Sequence, residues 1–162
     1  MEKPVSVISI DAAALLTGTS KRTLWRRLST GKLQRHSTDE RGRVMLALDD
    51  VAGQSCIELA ENADGYALLH DADRGNSQAQ NDLALLFLEQ ERPDIAAQRF
   101  LLAAQQQHAD AMHYLSTLYE QGCGVECCEN TALLWRAKAA NLGHLIARAQ
   151  LAPMVEPAET AQ

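Results

Sequence analysis

The sequence predicts a mainly α protein: a small helix-turn-helix module with a short β-hairpin, followed by an α-solenoid of two-helix repeats. Three observations carry this. The chain is 46% hydrophobic but only 4% aromatic, and it is rich in Ala, Leu and Gln, which favour helices over sheets. Charge is unevenly divided: residues 1–50 hold nine Lys and Arg against six Asp and Glu, a net of +3, while residues 51–162 hold six against fifteen, a net of −9. A pattern of small and apolar residues also recurs at spacings of 32 and 36 residues, the mark of stacked repeats. The length allows one ordinary domain or two small ones. The expected parts are 1–52, 53–152 and a disordered tail at 153–162, where two prolines interrupt any apolar period.

The elements follow in order. Residues 5–10 form a short β-type run. Asp11 is suited to cap a helix from Ala12 to Thr17, and Gly18 to end it in the left-handed conformation. Ser20 is the next cap, and a second helix runs from Lys21 to about Thr30 before Gly31. A polar hairpin follows, with its tip at Asp39-Glu40-Arg41-Gly42 and a return strand over residues 44–48. Asp49 and Asp50 are placed to cap a third helix. From there to about Ala152 the pattern is helical, punctuated at Gly65, Gly75, Arg92-Pro93, Gly122-Cys123-Gly124 and Gly143.

The repeat is densest over residues 111–144. Ala111, Leu115 and Tyr119 lie four apart on one helix face. Gly122 and Gly124 supply a tight turn, Ala132, Trp135, Ala139 and Ala140 line the next helix, and Gly143-His144 ends it. Ala79, Leu83 and Phe87 repeat the first set 32 residues upstream, and Ala96, Ala103 and Ala104 repeat the second 36 upstream. The difference of four is the Gly-x-Gly-Val turn, replaced by the tighter residues 89–93; Trp135 has Arg99 as its counterpart. Ala147 and Leu151 begin a third copy. These residues resemble the Sel-one-like repeat, a relative of the tetratricopeptide repeat, over roughly residues 61–151. The resemblance implies paired antiparallel helices that bind proteins, with capping half-units at 62–74 and 144–151.

Residues 20–43 concentrate eight Lys and Arg against two acids. Leu24 and Leu28 should face the core with Leu15 and Leu16, leaving Lys21, Arg22, Trp25, Arg26 and Ser29 toward solvent. The run Ser20-Lys21-Arg22-Thr23-Leu24-Trp25-Arg26, closed by Gly31-Lys32-Leu33, resembles the winged helix of excisionases and MerR-type regulators. A helix with Arg near its start suits the major groove, where guanidinium groups read guanine edges. Arg22 and Arg26 are the candidates for base contact, Lys21 and Trp25 share their face, and Lys32, Arg35, Arg41 and Arg43 are candidates for phosphate, with His36 beside them on the hairpin. Asp39 and Glu40 at the tip would repel phosphate if they faced it.

Other chemistry has little to stand on. Cys123, Cys127 and Cys128 have a Cys-x3-Cys-Cys spacing with no second pair, which does not match a zinc knuckle even with His108 and His113 nearby. With Cys56 they read as reduced thiols. His108 and His144 occupy repeat ends. No nucleophile motif, phosphate loop or paired catalytic carboxylate is present. The expectation is therefore a binding protein rather than an enzyme, with no cofactor or metal. It is a bacterial-type cytoplasmic transcriptional regulator whose basic module meets double-stranded DNA. Its acidic repeats would bind a partner protein or a second copy in a homodimer, and no membrane is involved. The competing expectation is an adaptor in which the winged helix docks a protein and the repeats scaffold a larger complex.

Overall fold

The computed structural model describes residues 5–55 and 63–155. The fold is mainly helical with one small antiparallel sheet. The chain divides into two compact units, Met1–Arg74 and Gly75–Gln162.

In the first unit, β1 (Val7–Ser9) and β2 (Ser37–Thr38) flank β3 (Val44–Ala47). β1 pairs Ile8 with Leu46, and β2 pairs Thr38 with Val44. Val44, Met45 and Leu46 are all buried, the continuous apolar reading of a strand covered on both faces. The N-terminal run thus joins the hairpin, a pairing of residues nearly forty apart that local pattern does not reveal.

Helix α1 (Ile10–Thr17) starts two residues earlier than its sequence suggests: Ser9, not Asp11, is the cap, its Oγ accepting from the Ala12 N–H at 3.1 Å. Asp11 falls inside the first turn, where a negative charge suits the helix dipole. Gly18 ends α1 at φ 62°. Helix α2 (Lys21–Ser29) has Ser20 as its cap, with the Thr23 N–H donating to Oγ at 3.2 Å. Gly31 at φ 71° turns the chain away, and the Lys32 N–H returns to the Arg27 carbonyl at 2.9 Å. Leu16 and Leu24 are buried; Leu15 and Leu28 are half-buried.

Helix α3 (Leu48–Ala52) begins before Asp49 and Asp50, so these lie in its first turn, and Ala47 at the cap position offers no side-chain acceptor. Helix α4 (Ala63–Asp73) contains Gly65 instead of breaking there. It packs on α1 and β1 and buries Leu69 and Ala72. The two compact units divide at Arg74/Gly75, and α4 stands with the first.

The second unit is a run of helices: α5 (Ser77–Glu89), α6 (Pro93–Gln105), α7 (Ala109–Gln121), α8 (Glu129–Asn141) and α9 (Leu145–Val155). Each packs on the next. The repeated positions form the core: Ala79, Leu83, Phe87, Ala96, Ala103, Ala104, Ala111, Leu115, Ala132 and Ala139 are buried. Tyr119, Trp135 and Ala140 are half-buried. The N-caps repeat as well. Asn76, His108 and His144 each accept the backbone N–H three residues on, from Ala79, Ala111 and Ala147. Gly122 caps α7 at φ 64°. At Gly124, φ 72°, an added Cβ would lie 2.3 Å from the Pro93 carbonyl carbon, so only glycine fits. Helix α9 continues through Pro153, which the sequence placed in a disordered tail. Residues 156–162 of that tail lie outside the described residues.

Candidate nucleic-acid interface

The hydrophobic requirement of α2 is met by Leu24 on one side, so its other side is left to solvent. Lys21, Arg22, Trp25, Arg26 and Ser29 are all exposed, as expected; the Trp25 side is 49% exposed despite its size. Trp25 is therefore a surface side chain and not part of the core. Arg22 and Arg26, four apart, share a helical face with Trp25 beside them.

Partners separate the cations further. Lys21 pairs with Asp11 of α1. Arg27 donates to the Gln54 side chain, and Arg35 to the Thr38 hydroxyl on its own hairpin. Among the described residues, the side chains of Arg22, Arg26, Lys32 and Arg41 have no hydrogen-bond or ion-pair partner and are exposed. His36 is also exposed, and its N–H pairs with the Met45 carbonyl.

Arg43 differs. Its guanidinium is drawn into the unit: Nε donates to Asp39 Oδ2 at 2.8 Å, and Nη1 to Asp73 Oδ1 at 3.1 Å and to the Asp73 carbonyl at 3.3 Å. Burial would lower the Arg43 pKa, but the two carboxylates outweigh it and raise it. Asp73 is itself 7% exposed and also accepts from the Ser9 N–H at 3.2 Å and the Ser9 hydroxyl at 2.5 Å. Neither Asp73 nor Ser9 stood out in the sequence, because nothing local links residues 9, 43 and 73.

The hairpin tip is organised by the same group. Asp39 folds inward and accepts from the N–H groups of Arg41 at 3.0 Å and Arg43 at 2.7 Å. Burial pushes its carboxyl up, yet the backbone and side chain of Arg43, with the Arg41 backbone, hold it below the usual range. Of the two tip acids, then, Asp39 is neutralised by Arg43, while Glu40 stays exposed. A cleft of about 460 Å³ lies between the tip and the end of α4, lined by Arg41, Arg43, His70, Asp73 and Arg74 among others.

Compared with known proteins, the chain matches no family model and no curated sequence.

In the second unit, Cys123, Cys127 and Cys128 are free thiols; Cys56 lies outside the described residues. The Thr131 hydroxyl donates to Cys128 Sγ at 3.1 Å, and with the Thr131 and Asn130 N–H groups it lowers the thiol pKa. Among the described residues no group of three His, Cys, Asp or Glu is arranged to hold a metal ion. No helix among them is long and apolar enough to cross a membrane. Large apolar side chains stay exposed at the end of this unit: Leu133 and Leu134 on α8, Leu142 in the turn, and Leu145, Ile146 and Met154 on α9.

Proposed function

We propose that the chain is a DNA-binding transcriptional regulator. The first unit acts as a winged helix-turn-helix, laying α2 in the major groove of double-stranded DNA. The second unit, a stack of Sel-one-like repeats, binds a partner protein or a second copy of the chain. The supporting observation is the selective freedom of the cations. Among the described residues Arg22 and Arg26 have no side-chain partner on one exposed helix face, while Arg27, Arg35 and Arg43 are occupied within the unit. Guanidinium groups in that position can bond guanine O6 and N7. Lys32 and Arg41, exposed beyond the helix and at the hairpin tip, are left for phosphate. Arg43 is assigned to holding the hairpin. The exposed apolar residues of α8 and α9 suit a protein contact, and the acidic net charge of residues 51–162 does not suit DNA.

One observation favours the adaptor reading instead. A half-exposed Trp25 flanked by Arg22 and Arg26 is also the residue set that dominates protein interfaces. Titration of random duplex DNA at low and high salt separates the readings. Affinity that falls steeply with salt, and falls again in Arg22→Ala plus Arg26→Ala, supports the regulator. Salt-insensitive or absent binding supports the adaptor.

A further inference from the structure

Three residues cap the alternate helices α5, α7 and α9 in the same way, but only one of the three caps faces another charged group. Asn76 has no titratable group. His108 accepts from Ala111 through Nδ1 and turns Nε2 to the Gln78 side-chain carbonyl at 3.0 Å, a neutral partner. His144 accepts from Ala147 through Nδ1 at 3.1 Å and turns Nε2 to Asp110 Oδ1 at 3.4 Å. Its ring is stacked on His113 of α7, with centroids 4.4 Å apart and planes 26° apart. The His144 side chain is only 12% exposed, and His113 Nδ1 is buried without a hydrogen-bond partner.

We infer that the stacked His113–His144 pair is an acid-sensitive clasp that holds the start of α9 on the repeat stack and releases it when the pair becomes fully protonated. The chemistry is restrictive. An Nδ1 that accepts the Ala147 N–H carries no proton, so an imidazolium at His144 loses the cap. It also places a positive charge at a helix N-terminus, where the dipole is already positive. Two stacked imidazolium rings repel each other.

The surrounding charges are few. Asp110 on α7 faces His144, with Oδ1 3.4 Å from Nε2. Arg136 on α8 opposes a charge on His113 and is itself paired with Glu120. The Tyr114 ring lies 6.1 Å from His113 and stacks on Phe100. Arg148 on α9 is exposed. Burial first, then His144 and Arg136, pull the His113 pKa below its ordinary value against the pull of Asp110. A base lowered in this way adds stability that is intact above its unfolded value, about 6.5, and is lost as the pH falls through the folded value.

The test is amide hydrogen exchange of the full chain at about pH 7.5 and about pH 5, either side of the imidazole range. Rates are corrected for the intrinsic pH dependence of exchange. Protection in α9 is expected to drop about fivefold or more in acid, the scale of one lost helix cap, while α5, capped by Asn76, keeps its protection. His144→Asn copies the Asn76 cap without a titrating group and is expected to abolish the acid response. Equal α9 protection at both pH values, or an acid response that survives His144→Asn, overturns the inference. Imidazole proton resonances of the wild type give a second reading that needs no variant. Two coupled steps for His113 and His144 support the clasp, and independent single-step titrations refute it.

Discussion

Arg43 on the hairpin reaches Asp73 at the end of α4, with Nη1 3.1 Å from Oδ1 and 3.3 Å from the Asp73 carbonyl. The bond joins residues thirty apart in the chain and ties the hairpin to the last turn of the first unit. The same carboxylate satisfies the buried Ser9, the residue that also caps α1. One acidic side chain therefore anchors strand, hairpin and helix.

Removing that carboxylate leaves the Ser9 N–H and hydroxyl without their acceptor, and Arg43 with only Asp39 and the Asp73 carbonyl. Asp73→Ala is expected to destabilise the first unit by about 2–3 kcal/mol, the usual cost of stranding buried donors. Urea unfolding followed by tryptophan emission in a Trp135→Phe background, where Trp25 is the remaining tryptophan, reports this unit. A loss below about 0.5 kcal/mol, the scale of an ordinary surface change, would show that the network is ornamental.

The hairpin tip should be sensitive to acid through Asp39. Its folded pKa is lowered, so its contribution is present above the unfolded value, about 3.9, and is lost as the pH falls through the lower folded value. Amide exchange at Arg41 and Arg43, whose N–H groups it accepts, should accelerate only in that range for the wild type and at neutral pH for Asp39→Ala. Unchanged exchange in the variant would count against this role.

Backbone conformation in the repeats predicts opposite effects at two different turns. Gln107 adopts φ 63° where Gly143, 36 residues later, adopts φ 91°. Gln107→Gly should therefore stabilise the second unit by about 0.5–1 kcal/mol, the left-handed penalty less the entropy cost of glycine. Gly124→Ala should destabilise it by about 2 kcal/mol or more, because the methyl group meets Pro93. Thermal unfolding followed by far-ultraviolet circular dichroism measures both, and a shift in the same direction for the two would contradict the assignment.

These turns also show which features local sequence can reveal. Gly18, Ser20 and Gly31 punctuate helices through bonds to residues a few positions away, and each stands where its residue type suggests. The repeat positions from Ala79 to Ala139 were legible because one packing problem is solved twice with the same side chains. Asp11 is the cap that local sequence suggests, but Ser9 takes that place because β1 ends there, which its pairing with β3 decides. Helix α4 shows buried Leu69 and Ala72, but periodicity says only that a face is covered, not which unit covers it. In the candidate site, exposure of Arg22 and Arg26 followed from helical spacing, whereas the diversion of Arg43 depended on Asp73 far along the chain.

Trp25 offers a separate handle on the basic face. Trp25→Ala removes a half-exposed ring and should leave stability within about 0.5 kcal/mol. It is expected to weaken duplex binding by roughly tenfold if the ring rests in the groove between Arg22 and Arg26. Retained DNA affinity would leave Trp25 for a protein contact.

The most direct test of the account is a fluorescence-anisotropy titration of duplex DNA across a range of salt concentrations. With Lys32 and Arg41 exposed and assigned to phosphate, the logarithm of affinity should fall against the logarithm of salt with a slope of about −1.8, near −0.9 per phosphate neutralised. Lys32→Ala should reduce that slope by about one contact, Arg22→Ala with Arg26→Ala should weaken binding by tenfold or more, and Arg43→Ala, provided the unit stays folded, should leave the slope unchanged. Binding that ignores salt, or that is indifferent to the loss of Arg22 and Arg26, would contradict it.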